Sequence, residues 1–286
     1  MNPSKLVIGT ANFGNSYSLK GTTKLGVKEI EKILNFAYKK KIKSIDTAPI
    51  YGNSEKILGK IGLKKWKVST KIQLKKKCKN YADHILFSVN NSLSKLKIDK
   101  LENLLVHSDL GKFNKKETTE IFRTLVKLKK DKIIKNFGCS IYSPKDLYKS
   151  TKFYDVDIIQ APANIFDRRF LDKHIIRYLK KKKIKLQIRS IFLRGLLLYN
   201  LKSLPKKFNY WKNDFKNYQM FLEKKNLNKI SGALSVLNKI NYENVVIGID
   251  NYKEFKEIFE NIPNNNLLIP NFNLKKRNKI IDPREW

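Results

Sequence analysis

Four residues of contrasting chemistry stand where apolar runs end in the first half of the chain. In SIDTAPIYGNSE, residues 44–55, the run breaks at Asp46 and Tyr51 follows five positions on; VSTKI carries Lys71, and LLVHS carries His107. An acid, a phenol, an ammonium and an imidazole together suit proton transfer to a carbonyl oxygen. A phenol, with an ordinary pKa of about 10, is a poor acid at neutral pH, but a neighbouring ammonium stabilises the phenolate it leaves behind. Lys71 would be that cation. Asp46 would hold it charged and oriented, and His107 would donate a hydrogen bond to the substrate oxygen. Taken singly, each has an ordinary explanation: Asp46 capping the turn before Pro49, Tyr51-Gly52 as a packed turn, His107 as a hydrogen-bonded strand end.

Positioning four such groups on one rim requires a repeating scaffold, and the sequence has one. Eight short runs rich in Ile, Val and Leu (LVIGTANF, IKSIDTA, WKVSTKI, ENLLVHS, IKNFGCS, VDIIQAP, KLQIRSI and NVVIGI) alternate with lysine-bordered amphipathic stretches. In KEIEKILNFAYKK, for example, Ile30, Ile33, Leu34, Ala37 and Tyr38 recur at helical spacing. Runs this short suit parallel strands covered by helices. Eight such units predict an α/β fold, a closed (β/α)8 TIM barrel. No Gly/Pro/Ser-rich boundary divides the chain, so residues 1–286 are expected to form a single domain. The interval across residues 200–240 exceeds what one unit needs and could be an excursion over the barrel mouth. Barrel catalysts act at the carboxyl ends of strands. Asp46, Lys71 and His107 fall at the ends of the second, third and fourth strands.

The formal charge of +36 suggests nucleic acid or an anionic membrane first. The lysines are nevertheless scattered over nearly every helical stretch, and no Arg-rich arm or aromatic-interleaved basic motif occurs. Composition bias on solvated faces explains them better, so no specific nucleic-acid partner is expected. Two cysteines, Cys78 and Cys139, have no metal-ligand spacing and fit a reducing cytosol. No metal site is expected. No apolar run approaches the roughly 20 residues of a membrane span, and MNPSKLVIGT lacks signal-peptide character. These features predict a cytoplasmic protein with no membrane partner.

The whole pattern resembles the aldo-keto reductase family. The match runs through VIGTANFG, DTAPIYGNSEKILG, VSTKI, LLVHS, FGCS, IIQAPANIFDRR and VVIGIDN, in order and over nearly the entire chain. The resemblance implies an NAD(P)H-dependent oxidoreductase that reduces an aldehyde or ketone. It places the catalytic tetrad on Asp46, Tyr51, Lys71 and His107, with Tyr51 as general acid. It also implies cofactor contacts from Thr10, Ser140, Gln160, Arg189, Ser190, Gly248, Asp250 and Glu257; Phe13 and Ile50, by their place near the rim, are expected to wall the substrate pocket. Arg189 occupies a position where the family commonly has a Tyr stacked on the nicotinamide. The family implies NADP(H), whereas Asp250 and Glu254 stand where Ser, Lys, Gln or Arg often sit. Acids there repel a 2'-phosphate and pull toward NAD(H). RSIFLRGLLL resembles a branch associated with surface-sugar pathways, which suggests a keto-sugar substrate. The same fold can serve as a cofactor-sensing regulatory protein with little turnover, so that alternative stands beside the enzyme.

Overall fold

The computed structural model describes residues 2–15, 19, 25–76, 78–152, 154–239, 241–262, 269–270, 272, 274 and 277–286. Eight parallel strands close into a barrel in sequence order: β1 (Leu6–Gly9), β2 (Ser44–Asp46), β3 (Lys67–Ile72), β4 (Leu101–Val106), β5 (Ile134–Ser140), β6 (Ile158–Pro162), β7 (Lys185–Arg189) and β8 (Asn244–Gly248). Closure comes from β1 against β8, in the register Leu6↔Val245 to Gly9↔Gly248. With helices outside and neighbours on both edges, the strands are buried on both faces, which is why they read as continuous apolar runs rather than alternating ones.

The intervening helices are α1 (Ala11–Gly14), α2 (Val27–Lys39), α3 (Ser54–Ile61), α4 (Tyr81–Leu96), α5 (Lys115–Lys130), α6 (Pro144–Thr151), α7 (Lys173–Lys181), α8 (Lys212–Lys224), α9 (Lys229–Leu234), α10 (Tyr252–Glu260) and α11 (Arg277–Ile281). Of the predicted stripe on α2, Ile30, Ile33, Leu34 and Ala37 are buried against the core, and Tyr38 is half-buried. Two helices begin at reciprocal caps. Asn114 and Glu117 close a capping box on α5, and Ser143 and Asp146 do so on α6, where Pro144 fills the first turn without losing a needed donor. One hydrophobic cluster joins the barrel interior to the helix layer. No helix among the described residues is long and apolar enough to cross a membrane.

Two local features bear on the barrel mouth. Gly138 lets β5 press against β6, since a Cβ there would sit 1.7 Å from the Ile158 carbonyl oxygen. After β7, Ser190, Leu193 and Arg194 hold φ at 62°, 50° and 53°, followed by Gly195 at 84°. Few non-glycine residues adopt such values, and strain of this kind concentrates at ligand sites. Beyond this loop the chain makes short 3-10 turns before α8, whose Phe215 and Tyr218 pack at 5.3 and 5.7 Å on Phe166 in the loop after β6.

Candidate active site

Parallel strands ending on one rim bring Asp46, Lys71 and His107 together, and the loop after β2 folds Tyr51 over them. The Lys71 ammonium is the centre of the group. It donates to Asp46 Oδ2 at 2.5 Å, to the Thr47 carbonyl at 3.0 Å and to the Tyr51 hydroxyl at 3.4 Å. Burial works against its charge, but Asp46 and then Tyr51 outweigh that cost and hold its pKa above the ordinary value. Lys71 and Asp46 are each only 3% exposed, so their attraction is little screened by solvent.

His107 lies in a different electrostatic setting. Burial, then the positive charges of Lys71, Arg189 and Arg284, push its pKa down to about 4. The ring is therefore neutral at physiological pH. Its Nδ1 is buried without a partner, leaving Nε2 as the nitrogen that can meet a ligand. Beside it, stacked at 6.3 Å, is Tyr142, whose ring also carries the Arg189 guanidinium at 4.3 Å and the Arg284 guanidinium at 3.6 Å. Arg284 is fixed in turn by Asp282, at 2.8 Å and 2.5 Å.

These groups line a cavity of about 410 Å³ that runs from Tyr51 past the ends of β5 to β8. Thr10, Ile50, Ser140, Gln160, Arg189, Ser190, Gly248 and Asp250 all line it. Ser140 Oγ donates to Gln160 Oε1 at 2.9 Å, and Gln160 Nε2 donates to Asp46 Oδ1 at 2.8 Å and to Gln187 Oε1 at 2.7 Å. Two residues named from the sequence lie elsewhere. Phe13 is fully buried and does not line the cavity, because the single turn of α1 directs it inward and turns Asn12 to the mouth instead. Glu257 is exposed on α10; Glu254, one turn nearer the strand ends, lines the cavity in its place. No described residue between 200 and 240 lines it either; the β7 loop, with Ile191, Phe192 and Arg194, does so. Sequence reasoning missed Tyr142 and Arg284 altogether. A Tyr two residues beyond β5 was the available signal for the first; nothing local marked the second.

The residues fit a nicotinamide dinucleotide. A buried hydroxyl and amide, Ser140 and Gln160, floor one end, Arg189 with its unpartnered Nε and Arg194 supply cations along the wall, and Asp250 stands at the other end. Arg189, in the position of the expected stacking Tyr, lies on Tyr142 and bonds the Ile141 carbonyl at 3.0 Å. No cluster of metal ligands occurs among the described residues, and Cys78 and Cys139 are free thiols. Cys139 is inert, its pKa pushed up to about 12 by burial.

A closed eight-stranded barrel with polar side chains converging at its carboxyl rim belongs to the enzyme-bearing β/α barrels. Known proteins narrow the class. The model of the Aldo/keto reductase family matches residues 5–257. D-arabinose 1-dehydrogenase of Saccharomyces cerevisiae is 28% identical over 216 residues, 68% of this chain and 62% of that protein. Among solved structures, an aldo-keto reductase from Bacillus halodurans in its holo form superposes with a TM-score of 0.73 at 18% identity, covering 97% of this chain and 90% of that one. A glycerol dehydrogenase from Gluconobacter oxydans gives 0.70 at 21% identity with the same coverage. The chain belongs to the aldo/keto reductase family.

Proposed function

We propose that the protein reduces an aldehyde or ketone, with Tyr51 as proton donor. The observation that supports this reading best is the Lys71 ammonium held between Asp46 and the Tyr51 hydroxyl, beside a neutral His107. When bound, a reduced nicotinamide supplies the hydride for the carbonyl carbon. The Tyr51 O–H gives its proton to the carbonyl oxygen, and the phenolate left behind sits against the Lys71 ammonium, the arrangement that favours the charged form. Asp46 keeps that ammonium oriented. His107 Nε2–H donates to the carbonyl oxygen while negative charge develops there, and its neutrality prevents it from competing as the acid. Ser140 and Gln160 would hold the carboxamide of the nucleotide.

Family membership favours a nicotinamide nucleotide in general; Asp250 and Glu254 at the cavity's far end favour NADH over NADPH. A carboxylate there accepts from a ribose hydroxyl and repels a 2'-phosphate. The sugar named in the curated relative, D-arabinose, supports a sugar carbonyl as substrate. The test is loss of reduced-nucleotide absorbance, with NADH and NADPH separately, against aldehydes, ketones and keto-sugars. Tyr51→Phe should lower kcat by roughly 10²–10⁴-fold, the usual span for removing a general acid, while nucleotide binding persists. Undiminished turnover in that variant would remove Tyr51 from the mechanism. Binding without turnover on every carbonyl would favour the sensor alternative.

A further inference from the structure

A second cavity, of about 440 Å³, adjoins the first, and the two share His107, Ser140, Tyr142 and Arg284 in their lining. The rest of its wall comes from Gln73 after β3, residues 108–111 after β4, and α6 with the turn before it. Its charges are unequal in their commitments. All three carboxylates accept bonds from this chain: Asp109 from the Gly111 amide at 2.9 Å, Asp146 from the Ser143 amide and hydroxyl at 2.9 and 2.8 Å, and Asp282 from Arg284. Of the cations, Arg169 forks onto the buried Asp167 at 2.8 Å through Nε and Nη2, and Arg284 onto Asp282, each keeping Nη1 without a bonded acceptor among the described residues. Lys149, whose ammonium lies against Gly111, has no bonded acceptor among the described residues. Lys149 is thus the one charged side chain of this lining without a bonded partner among the described residues.

We propose that this second cavity receives a carboxylate or phosphate borne by the substrate, with Lys149 as its counter-charge. The proposal rests on the carbonyl-reductase reading above and names the substrate class for it. His107 lines both cavities, so a substrate with its carbonyl oxygen at Nε2 extends one way toward Tyr51 and the other way into the chamber of Lys149. Arg169 and Arg284 offer their Nη1 groups to the same anion. A diffuse surface field draws anions toward any face of the molecule; this chamber would fix one at a defined distance from the reacting carbon.

Matched substrates test it: benzaldehyde against 4-carboxybenzaldehyde, and glyceraldehyde against glyceraldehyde 3-phosphate, distinguishing carboxylate from phosphate. The wild type should prefer the anionic member about tenfold in kcat/KM, mostly through KM, the size of one charge-assisted hydrogen bond. Lys149→Gln should lower that ratio about tenfold, Lys149→Arg should keep it, and Lys60→Gln, on the exposed end of α3, should leave it in place. A wild-type ratio near one, or equal losses in the Lys60 and Lys149 variants, would overturn the proposal. Calorimetric titration of the NADH-loaded protein with inorganic phosphate gives an arm independent of turnover. Heat of binding lost in Lys149→Gln supports the chamber even if none of the four aldehydes reacts, a result that would count against the reductase reading alone; equal heats in both proteins refute the chamber.

Discussion

Asp46 and Gln160, from strands on different sides of the barrel, meet at 2.8 Å, Gln160 donating through Nε2 to Oδ1 while Lys71 takes Oδ2. Both carboxylate oxygens are therefore occupied, one by an amide and one by an ammonium. Removing the charge from Asp46 leaves Lys71 buried without a counter-ion, which in comparable pairs costs roughly 3–5 kcal/mol. Asp46→Asn should show a lower urea midpoint and little activity. Adding Lys71→Met should recover part of the stability and none of the activity; a double variant no more stable than the single one would contradict the buried-pair account. Because Lys71 is held above its ordinary 10.5, the stability it contributes is complete below that pH and lost as the pH rises through the raised value.

For His107 the sign is reversed. Its pKa falls from an ordinary 6.5 to about 4, so between those pH values the unfolded chain binds a proton that the folded chain refuses. Stability should decline as pH falls across that window and level off below it, with a shallower decline in His107→Gln. Activity should show no histidine inflection between pH 5 and 8. An inflection near 6.5 that disappears in His107→Gln would show the ring to be charged in the working enzyme.

The proposed preference for NADH rests on two acids. Asp250 accepts from Asn12 Nδ2, and Glu254 stands in the first turn of α10. Replacing both, Asp250→Ser with Glu254→Gln, should lower KM for NADPH roughly tenfold, about 1.4 kcal/mol, by removing like-charge repulsion. KM for NADH should rise or hold. No gain with NADPH would mean that the 2'-phosphate never approaches these carboxylates.

Gly138 offers a test of the barrel itself. A methyl group there meets backbone rather than a pliable side chain, so Gly138→Ala should cost roughly 3 kcal/mol, the upper end for overpacking a rigid site. A melting temperature equal to wild type would show that β5 and β6 can separate freely.

The barrel was legible because closure demands eight buried strands, and burial on both faces writes itself as short apolar runs. Asp46, Lys71 and His107 were legible for a related reason: a polar residue that ends such a run is lifted onto the rim by the strand. Phe13 and Glu257 show where that logic weakens. Neither sits at a strand end, so its direction depends on the rotation of a helical turn, and a one-residue or one-turn difference decides between core, solvent and cavity. Arg284 was invisible for another reason. It reaches Tyr142 across 142 positions of sequence, through a turn fixed by Asp282, and no local pattern encodes that meeting.

The hydrogen bonds beneath the cavity have a direction. Ser140 donates to Gln160, Gln160 to Gln187, and Gln187 to Asn244 at 2.7 Å, each step passing from one strand to the next from β5 to β8. Every amide in the row is oriented by its predecessor, so none can turn over unless its neighbours turn too. The seam behaves like a row of aligned compass needles: Gln160's branch to Asp46 couples it to the Lys71 pair, and an arriving nucleotide meets a polarity already chosen across half the barrel.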